Sequence, residues 1–397
     1  MSNRILILTA AFGEGHNAAA RALESGFARN YPPSSVDIID AFALASPRFN
    51  DAARRFYLRL INEAPRLWSR MYNWIDRSNL VQRRLWLFRR EIRVLADLLA
   101  REQPGAICCT YPLYAFFLEE IARAGGTVPP TYNVVTDSIS IHSLWWRAPC
   151  AGWFLPNEDS ADVLRQAGIE PARIHVCGFP VPSFFGQNVS RLSPPDLVAG
   201  VAPRVLHIIN SGTRQAEETA RRLLTGTDWE ITCAVGRDTA LALRLTKLAQ
   251  SRRQPARILG WTDQIPKLLM THHAVVSKAG GATTQEAIAA LCPMIVSQVV
   301  PGQEEGNYEL LRRHEAGALA ETPDAVLEKL RHAFANSGRI WRQWRAALRP
   351  LARPDAAGDI ARHVLEALPG RKHLASLRRV RGVHRFHVNP RLYPGTP

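Results

Sequence analysis

The chain has 397 residues, 46% of them hydrophobic and 21% charged, which is typical of globular proteins and long enough for two domains. Its net charge of +15 and pI near 10.2 predict an anionic partner, such as nucleic acid, a membrane surface or a phosphorylated substrate. All but five of the 50 basic residues are arginine, and codon bias is an alternative explanation for the use of arginine rather than lysine. With no apolar run of 18 residues, no signal peptide and no metal spacing among six cysteines, we expect reduced thiols and a cytoplasmic location.

The first predicted element is a buried strand at residues 5–8, which runs into a glycine turn. The turn, Gly13-Glu14-Gly15-His16-Asn17, leads into an alanine-rich helix over residues 18–28. It lacks the third glycine of the dinucleotide fingerprint, and it is not a Walker loop. His16 stands where the helix begins, so its ring can face a ligand cleft; a structural or surface histidine is the alternative.

An arginine-rich segment follows, with eleven arginines and four acids between residues 51 and 93. Pro65 is suited to start a helix there, and Ser78-Asn79 to interrupt it. Such a helix has an arginine stripe and an apolar stripe on opposite sides: Arg66, Arg70, Arg77 and Arg84 against Trp68, Met71, Ile75 and Trp86. The pattern predicts docking of residues 54–93 on an anionic membrane, and the alternative is a core helix with a solvated arginine face.

The rest of the first half alternates strands and helices, with buried strands predicted at 106–109 and 132–135. Thr136, Asp137 and His142 follow the second of these strands, at the end where α/β sheets bind their ligands. We predict a first domain over 1–190, a second over 204–368 and a disordered tail over 370–397, which has seven basic residues and no acid.

A second glycine turn follows the apolar run at 273–276 and spans Ser277-Lys278-Ala279-Gly280-Gly281-Ala282-Thr283-Thr284-Gln285-Glu286. Backbone N–H groups and a helix dipole at such a turn favour a phosphate, and Glu286, near the helix start, can reach a ribose; an ordinary capped turn is the alternative. Two such turns predict two α/β domains across a cleft. Since no D-x-D motif occurs, a leaving diphosphate would be stabilised by helix N-termini, as in metal-independent glycosyltransferases of the GT-B type.

Five ordered motifs between residues 4 and 330 resemble one family, the monogalactosyldiacylglycerol synthases and bacterial diacylglycerol glucosyltransferases. Residues 13–20 resemble its G-x-G-H opening, and Val135-Thr136-Asp137 with His142 its V-T-D…H segment. Residues 176–181 resemble V-x-G-x-P-V, and 277–286 are followed at the usual spacing by 301–307. The resemblance implies a GT-B fold with two Rossmann-like domains.

The resemblance also implies residue roles. His16 would be the general base of an inverting displacement, and Asp137 would orient or assist it. Within the donor site, the turns would hold the UDP phosphates, Glu286 the ribose, and Gln303 and Glu304 the hexose, with Asn307 supporting their loop. The residues assigned to the donor site are Gly13, Gly15, Gly280, Gly281, Thr283, Thr284, Glu286, Gln303, Glu304 and Asn307.

The implied reaction moves glucose or galactose from a UDP-sugar to diacylglycerol at the inner face of the cell membrane, with no metal or other cofactor. The arginine–tryptophan segment would correspond to the acceptor and membrane-docking region. A polyprenyl-linked peptidoglycan precursor is an alternative acceptor. Residues 210–214 retain one glycine where the family has a glycine-rich turn, so a catalytically weakened UDP-binding regulator is another alternative. Nucleic-acid binding is disfavoured because no RNA or DNA motif is present.

Overall fold

A computed structural model describes residues 4–29, 36–78, 80–198, 200–209, 214–302 and 304–368 of the chain. Two parallel sheets of six strands each form the centres of two α/β units. The predicted basic tail and the turn at residues 210–213 lie outside the described residues.

The first sheet has the strand order β2-β1-β3-β4-β5-β6, and all its neighbouring strands are parallel. Its strands are β1 (Ile5–Leu8), β2 (Val36–Ile39), β3 (Ala106–Cys109), β4 (Thr131–Val134), β5 (Gly152–Leu155) and β6 (Ile174–Val176). Four of these strands, β1, β3, β4 and β5, are buried along their whole length, as expected for a parallel sheet covered on both faces.

The second sheet has the order β12-β11-β10-β7-β8-β9 and is also parallel. Its strands are β7 (Arg204–Ile208), β8 (Glu230–Ala234), β9 (Ala256–Leu259), β10 (Ala274–Lys278), β11 (Met294–Gln298) and β12 (Gly317–Leu319).

Helices cover both sheets. Up to residue 190 they are α1 (Glu14–Ala28), α2 (Ala41–Ala45), α3 (Pro47–Glu63), α4 (Pro65–Arg77), α5 (Leu80–Arg83), α6 (Arg89–Glu102), α7 (Leu113–Arg123), α8 (Glu158–Gln166) and α9 (Phe184–Asn188). Those that follow are α10 (Arg214–Thr225), α11 (Thr239–Ala249), α12 (Ile265–Thr271), α13 (Gly281–Ala289), α14 (Glu305–Arg313), α15 (Pro323–Leu348) and α16 (Ala356–Glu366). Short 3₁₀ turns occur at Leu85–Phe88, Ser143–Trp145 and Pro171–Arg173.

Each sheet reverses its strand order once, and both predicted glycine turns lie at these reversals. In the first sheet the chain leaves β1 for β2 and then returns to place β3 on the other side of β1. In the second sheet the corresponding reversal lies between β7 and β10. The carboxyl ends of strands at such a switch point form the crevice in which open α/β sheets bind ligands.

The last helix does not belong with the second sheet, although the predicted second domain extends to residue 368. Helix α16 packs along α1, and its Ile360 and Val364 share a buried core with Ile5 and Ile7 of β1. The chain therefore crosses back after α15 because the apolar face of α16 is buried against the first unit.

The arginine-rich segment forms several helices, and the interruption predicted at Ser78-Asn79 falls where α4 ends. Pro65 does start a helix, but α4 ends at Arg77, and Ser78 is extended. The Ser78 hydroxyl donates to the carbonyl of Ile75 at 3.2 Å and accepts the N–H of Leu80 at 3.4 Å, which satisfies backbone groups at this break. Arg84 and Trp86 lie beyond the break, so the predicted stripes do not extend along one helix.

Candidate active site

His16 lies at the switch point of the first sheet. Gly13, with φ of 108°, precedes α1 in a conformation that favours glycine, and the helix begins at Glu14. The Nδ1 atom of His16 is 2.7 Å from the backbone carbonyl oxygen of Thr110, which follows β3, and 3.0 Å from the hydroxyl of Thr136. Because a carbonyl can only accept, Nδ1 carries the proton and Nε2 keeps its lone pair.

The surroundings of His16 keep its imidazole neutral. Burial lowers the pKa of His16 to about 4, and the hydrogen bond to Thr110 opposes this only partly. The ring packs edge-on against Tyr111, with centroids 5.1 Å apart, and lies 6.3 Å from the ring of Trp145. A neutral imidazole with a fixed tautomer can accept a proton at neutral pH.

Asp137 does not orient His16 directly. Of its two predicted roles, orienting the base or assisting it, this finding corrects the first. Its Oδ2 accepts the indole N–H of Trp145 at 2.8 Å, and the backbone N–H of His142 also donates to its carboxyl group. Burial raises the pKa of Asp137 to about 6. Thr110 and Thr136 hold His16, whereas Asp137 is linked to it through Trp145.

The second glycine turn starts α13 without a side-chain cap. Gly280 is the N-cap residue, and its own N–H donates to the carbonyl of Lys278 at 2.8 Å. The N–H groups of Gly281, Ala282 and Thr283 begin the helix, where no intrahelical acceptor exists. Among the described residues no acceptor is found for these three groups, so they form a concentrated site for an anion.

The α13 turn faces His16 across the cleft. A Cβ atom at Gly281 would lie 3.6 Å from the backbone oxygen of Thr136, the residue whose hydroxyl contacts His16. Nearby, Gln285 donates its amide to the hydroxyl of Ser138 at 2.9 Å. A Cβ atom at Gly306 would lie 1.8 Å from the Ser138 carbonyl oxygen, so only glycine permits this approach. The two glycine turns thus face each other across the predicted cleft.

Two of the predicted donor residues have partners inside the second unit. Glu304 is buried, and its Oε1 accepts from Nζ of Lys278 at 2.6 Å while its Oε2 accepts the N–H of Val300 at 3.1 Å. Its carboxylate positions Lys278 beside the glycine turn rather than presenting free oxygens to a hexose. Asn307 donates its amide to the carbonyl of Ala279 at 3.0 Å, so it holds the glycine turn, whereas the prediction had it support the loop of Gln303 and Glu304.

Thr284 does not face the cleft, in contrast to the prediction. Its side chain is fully buried, its hydroxyl points to the sulfur of Met294 at 3.7 Å, and its N–H donates to the carbonyl of Gly280. It shares the buried face of α13 with Ile288, one helical turn on. Thr283, half-buried at the third position of the helix, is the threonine left at the helix start.

Of the other predicted donor residues, Glu286 and Gly15 lie within the described residues and Gln303 does not. Glu286 lies in the second turn of α13, and burial raises its pKa to about 7, with the Arg21 guanidinium acting in the opposite direction. Gln303 lies outside the described residues, as does most of the 210–214 segment. Gly15 borders open space within 4 Å of its missing Cβ, as expected for a residue that lines the cleft.

A cavity of about 350 Å³ opens at the same edge of the second sheet. It lies at the carboxyl ends of β7, β8 and β9, next to the strand that leads into the α13 turn. Its lining includes Ile209, Val235, Gly236, Arg237, Trp261 and Ile265. Trp261 is 72% exposed, which leaves an aromatic face free to stack on a planar ring.

The sequence signals for several of these groups were weak. Lys278 was visible in the motif, but its pairing with Glu304 depends on the conformation of residues 300–304. Thr110 contributes a backbone carbonyl, which no residue type can reveal. Trp261 follows a strand that the sequence did not predict.

Among the described residues, no three His, Cys, Asp or Glu side chains converge as metal ligands, and no helix is long and apolar enough to cross a bilayer.

The two facing α/β units, with an uncapped helix start opposite a neutral histidine, define a GT-B protein. Residues 16–181 match the model of the monogalactosyldiacylglycerol (MGDG) synthase family. The chain is similar to the processive diacylglycerol beta-glucosyltransferase of Bacillus thuringiensis (strain Al Hakam), with 24% identity over 91% of this chain and 93% of the relative. The corresponding protein of Bacillus cereus (strain G9842) is 23% identical over 93% and 94% of the two chains. The family resemblance predicted from the motifs is confirmed.

Solved structures confirm the predicted fold. Os79 from O. sativa, in complex with UDP, matches with a TM-score of 0.59 at 13% identity, over 91% of this chain and all of that chain. MnaA of S. aureus, also with UDP, matches at 0.56 and 12% identity over 92% and 96%. A UDP-GlcNAc 2-epimerase from Neisseria meningitidis bound to UDP-GlcNAc matches at 0.55 and 12% over 91% and 100%. Since the fold serves more than one reaction, chemistry must be argued from the site.

Proposed function

We propose that this protein is an inverting glycosyltransferase that moves glucose or galactose from a UDP-sugar to the hydroxyl of diacylglycerol at a membrane surface. The observation that carries the proposal is that Thr136 lies beside both groups: its backbone oxygen faces the uncapped start of α13 at Gly281, and its hydroxyl contacts His16. A diphosphate on the helix start would place its sugar beside the histidine. The diacylglycerol glucosyltransferases of Bacillus, similar along both units, support the choice of acceptor.

The donor would lie along the carboxyl edge of the second sheet. The cavity beside Trp261 would take the uracil ring, Glu286 would bind the ribose, and the N–H groups at the start of α13 would bind the diphosphate. Gln303 stays our predicted hexose contact. The solved structures of Os79 and MnaA with UDP support a nucleotide donor for this fold.

His16 would start the reaction by taking the acceptor's hydroxyl proton on Nε2. The hydroxyl oxygen then bonds to C1 of the hexose while the bond from C1 to the UDP oxygen breaks, and UDP leaves with that electron pair. The N–H groups of α13 and the Lys278 ammonium would stabilise the charge that develops on the leaving diphosphate. The sequence predicts that the leaving diphosphate is stabilised without a metal, and these protein groups would supply that stabilisation.

The Asp137 carboxylate would assist His16 although Trp145 lies between the two side chains. When His16 takes up a proton, a negative charge nearby favours the imidazolium that forms. Because burial raises the pKa of Asp137 to about 6, this carboxyl group is largely ionised at neutral pH.

The acceptor would reach His16 from the face formed by α2 to α6. Of the eleven large hydrophobic side chains exposed among the described residues, seven lie between Leu44 and Leu87. The same part of the chain carries ten exposed arginines: Arg54, Arg55, Arg59, Arg70, Arg77, Arg83, Arg84, Arg89, Arg90 and Arg93. Apolar side chains with basic neighbours are suited to the anionic inner face of a cell membrane, where we propose that the protein acts.

A row of aromatic rings leads from that face to the histidine. Trp68 contacts Tyr57 at 5.1 Å between centroids, Tyr57 contacts Phe12 at 6.2 Å, and Phe12 stacks on Tyr111 at 5.9 Å. Tyr111 in turn contacts His16. These half-buried rings offer an apolar path along which acyl chains can lie while the glycerol hydroxyl reaches Nε2.

The test is to incubate the purified protein with anionic vesicles that contain diacylglycerol, with UDP-glucose and UDP-galactose in separate reactions. We expect a glycolipid from at least one donor, detected by mass spectrometry. His16→Ala should lower the rate by a factor on the order of 10² to 10⁴ while UDP binding persists. His332→Ala, at an exposed position on α15, is the matched control and should leave the rate unchanged. Glycolipid formed equally fast by His16→Ala would contradict the proposal.

A further inference from the structure

The carboxyl end of α4 holds the loop that carries Asp137 and Trp145. Oδ1 of Asp76 accepts the backbone N–H of Ser143 at 2.6 Å. The backbone carbonyl of Asp76 accepts both the Ser143 hydroxyl at 2.8 Å and a guanidinium N–H of Arg147 at 2.7 Å. A carbonyl in the last turn of a helix has no intrahelical donor, so these contacts also complete the end of α4.

The loop held in this way reaches directly to the proposed catalytic groups. Ser143 opens the 3₁₀ turn Ser143–Trp145, whose last residue donates its indole N–H to Asp137. The ring of the same Trp145 lies beside His16. At the start of the turn, the N–H of His142 donates to Asp137 as well. Asp76 therefore fixes the middle of a segment both of whose ends contact Asp137.

Helix α4 also touches the opposite side of the cleft. Gly302, which has φ of +85°, lies against the helix, and a Cβ atom there would be 3.4 Å from Cδ1 of Tyr72 and 3.6 Å from Cα of Ser69. The outer side of the same helix carries the exposed Trp74. One short helix thus joins the exposed apolar face, the loop that carries Asp137 and the loop that precedes Glu304.

We propose that Asp76 is a positioning residue for the transfer reaction, which aligns Trp145 and Asp137 with His16 by holding the N–H of Ser143. The expected effect on the reaction rate rests on the proposed function, whereas the anchoring of the loop by Asp76 does not depend on any substrate. Asp76 touches neither the start of α13 nor the cavity at Trp261, so it acts on the acceptor side alone.

The experiment compares Asp76→Ala with Asp76→Asn, whose amide oxygen can still accept from Ser143. We expect Asp76→Ala to lower kcat by about tenfold to a hundredfold, because small displacements of catalytic groups have effects of that size. Its affinity for UDP should be unchanged, and Asp76→Asn should recover most of the rate. Asp51→Ala removes an equivalent charge from the exposed side of α3 and serves as the control for membrane electrostatics.

Hydrogen–deuterium exchange of residues 138–147 in each full-length variant, without substrate, tests the anchoring separately. Exchange should be faster in Asp76→Ala than in the wild type, and close to the wild type in Asp76→Asn and Asp51→Ala. If Asp76→Ala does not fold, Ser143→Ala, which loses only the hydroxyl contact, should show a smaller increase. Unchanged exchange in the alanine variants, or an unchanged kcat in Asp76→Ala, overturns the proposal. If the wild type makes no glycolipid, the proposed function fails, and exchange alone decides whether Asp76 anchors the loop.

Discussion

At the scale of single residues, the account depends on the protonation of His16. The carbonyl of Thr110 fixes the proton on Nδ1, and burial keeps the ring neutral, with a pKa of about 4. Nε2 is therefore ready to accept a proton over a wide pH range. Asp137, with a pKa raised to about 6, is a second group whose ionisation changes within the range accessible to an assay.

The pH dependence of kcat/KM for glycolipid formation separates the two groups. A base works only when neutral and Asp137 only when ionised, so the rate should fall as pH falls through each pKa, first near 6 and again near 4. Asp137→Asn should remove the step near pH 6 and keep the lower one. A single step near pH 6.5 that survives Asp137→Asn would indicate a solvent-exposed imidazole and contradict this assignment.

At the scale of elements, the start of α13 is the proposed anion site. Its dipole and free N–H groups stabilise any negative charge placed there, whether on a side chain or on a ligand. The pairing with Glu304 holds the Lys278 ammonium next to the turn, and Asn307 holds the turn's own carbonyl.

Thr283→Asp should therefore change stability and binding in opposite directions. A carboxylate in the first turn of α13 should raise the free energy of unfolding by about 0.3–1 kcal/mol. The same charge should repel the diphosphate and weaken UDP binding at least about tenfold, roughly the effect of 1.4 kcal/mol. Thermal unfolding and UDP titration calorimetry measure the two effects. Thr283→Asn, which is nearly the same shape without the charge, should show much less of either, and unaltered UDP affinity in Thr283→Asp would argue against a phosphate at this helix.

At the scale of the whole molecule, α1 joins the site to the packing of the two units. Its first turn carries Gly15 and His16 at the cleft, and its far end packs against α16. Gly26 marks this contact, because a Cβ atom there would lie 2.4 Å from the carbonyl oxygen of Ala357. Close approach of the two helices thus depends on the missing side chain.

Two glycine-to-alanine substitutions in this one helix should have different effects. Gly26→Ala should lower the free energy of unfolding by about 1–3 kcal/mol, since α1 and α16 must move apart. Gly15→Ala meets open space, so stability should stay the same or rise by up to about 1 kcal/mol through helix propensity. Its methyl group would instead occupy the cleft and lower the rate of glycolipid formation. Equal stability of the two variants in chemical denaturation would be inconsistent with the packing described for α16.

The sequence predicted the elements whose signals are local. Fully apolar runs such as Ile5–Leu8 and Ala106–Cys109 identify buried parallel strands, and the two glycine turns identify two α/β domains that face a cleft. The partner of α16 could not be predicted, because an amphipathic pattern does not say which sheet will cover it. Thr284 was misplaced because the glycine turn was taken to span residues 277–286; a helix start at Gly281 puts Thr284 on the buried face with Ile288.

The central claim is that His16 takes the proton of the acceptor hydroxyl, whose oxygen then attacks C1 of the sugar. The attack comes from the side opposite the UDP, which the proposal places at the start of α13. The most direct measurement is the configuration at the anomeric carbon of the glycolipid made by the wild-type protein, determined from its proton NMR coupling. Because the proposed donors, UDP-glucose and UDP-galactose, are α-linked, a single displacement predicts a β-linked product. An α-linked product would require a different course of reaction and would contradict the role assigned to His16.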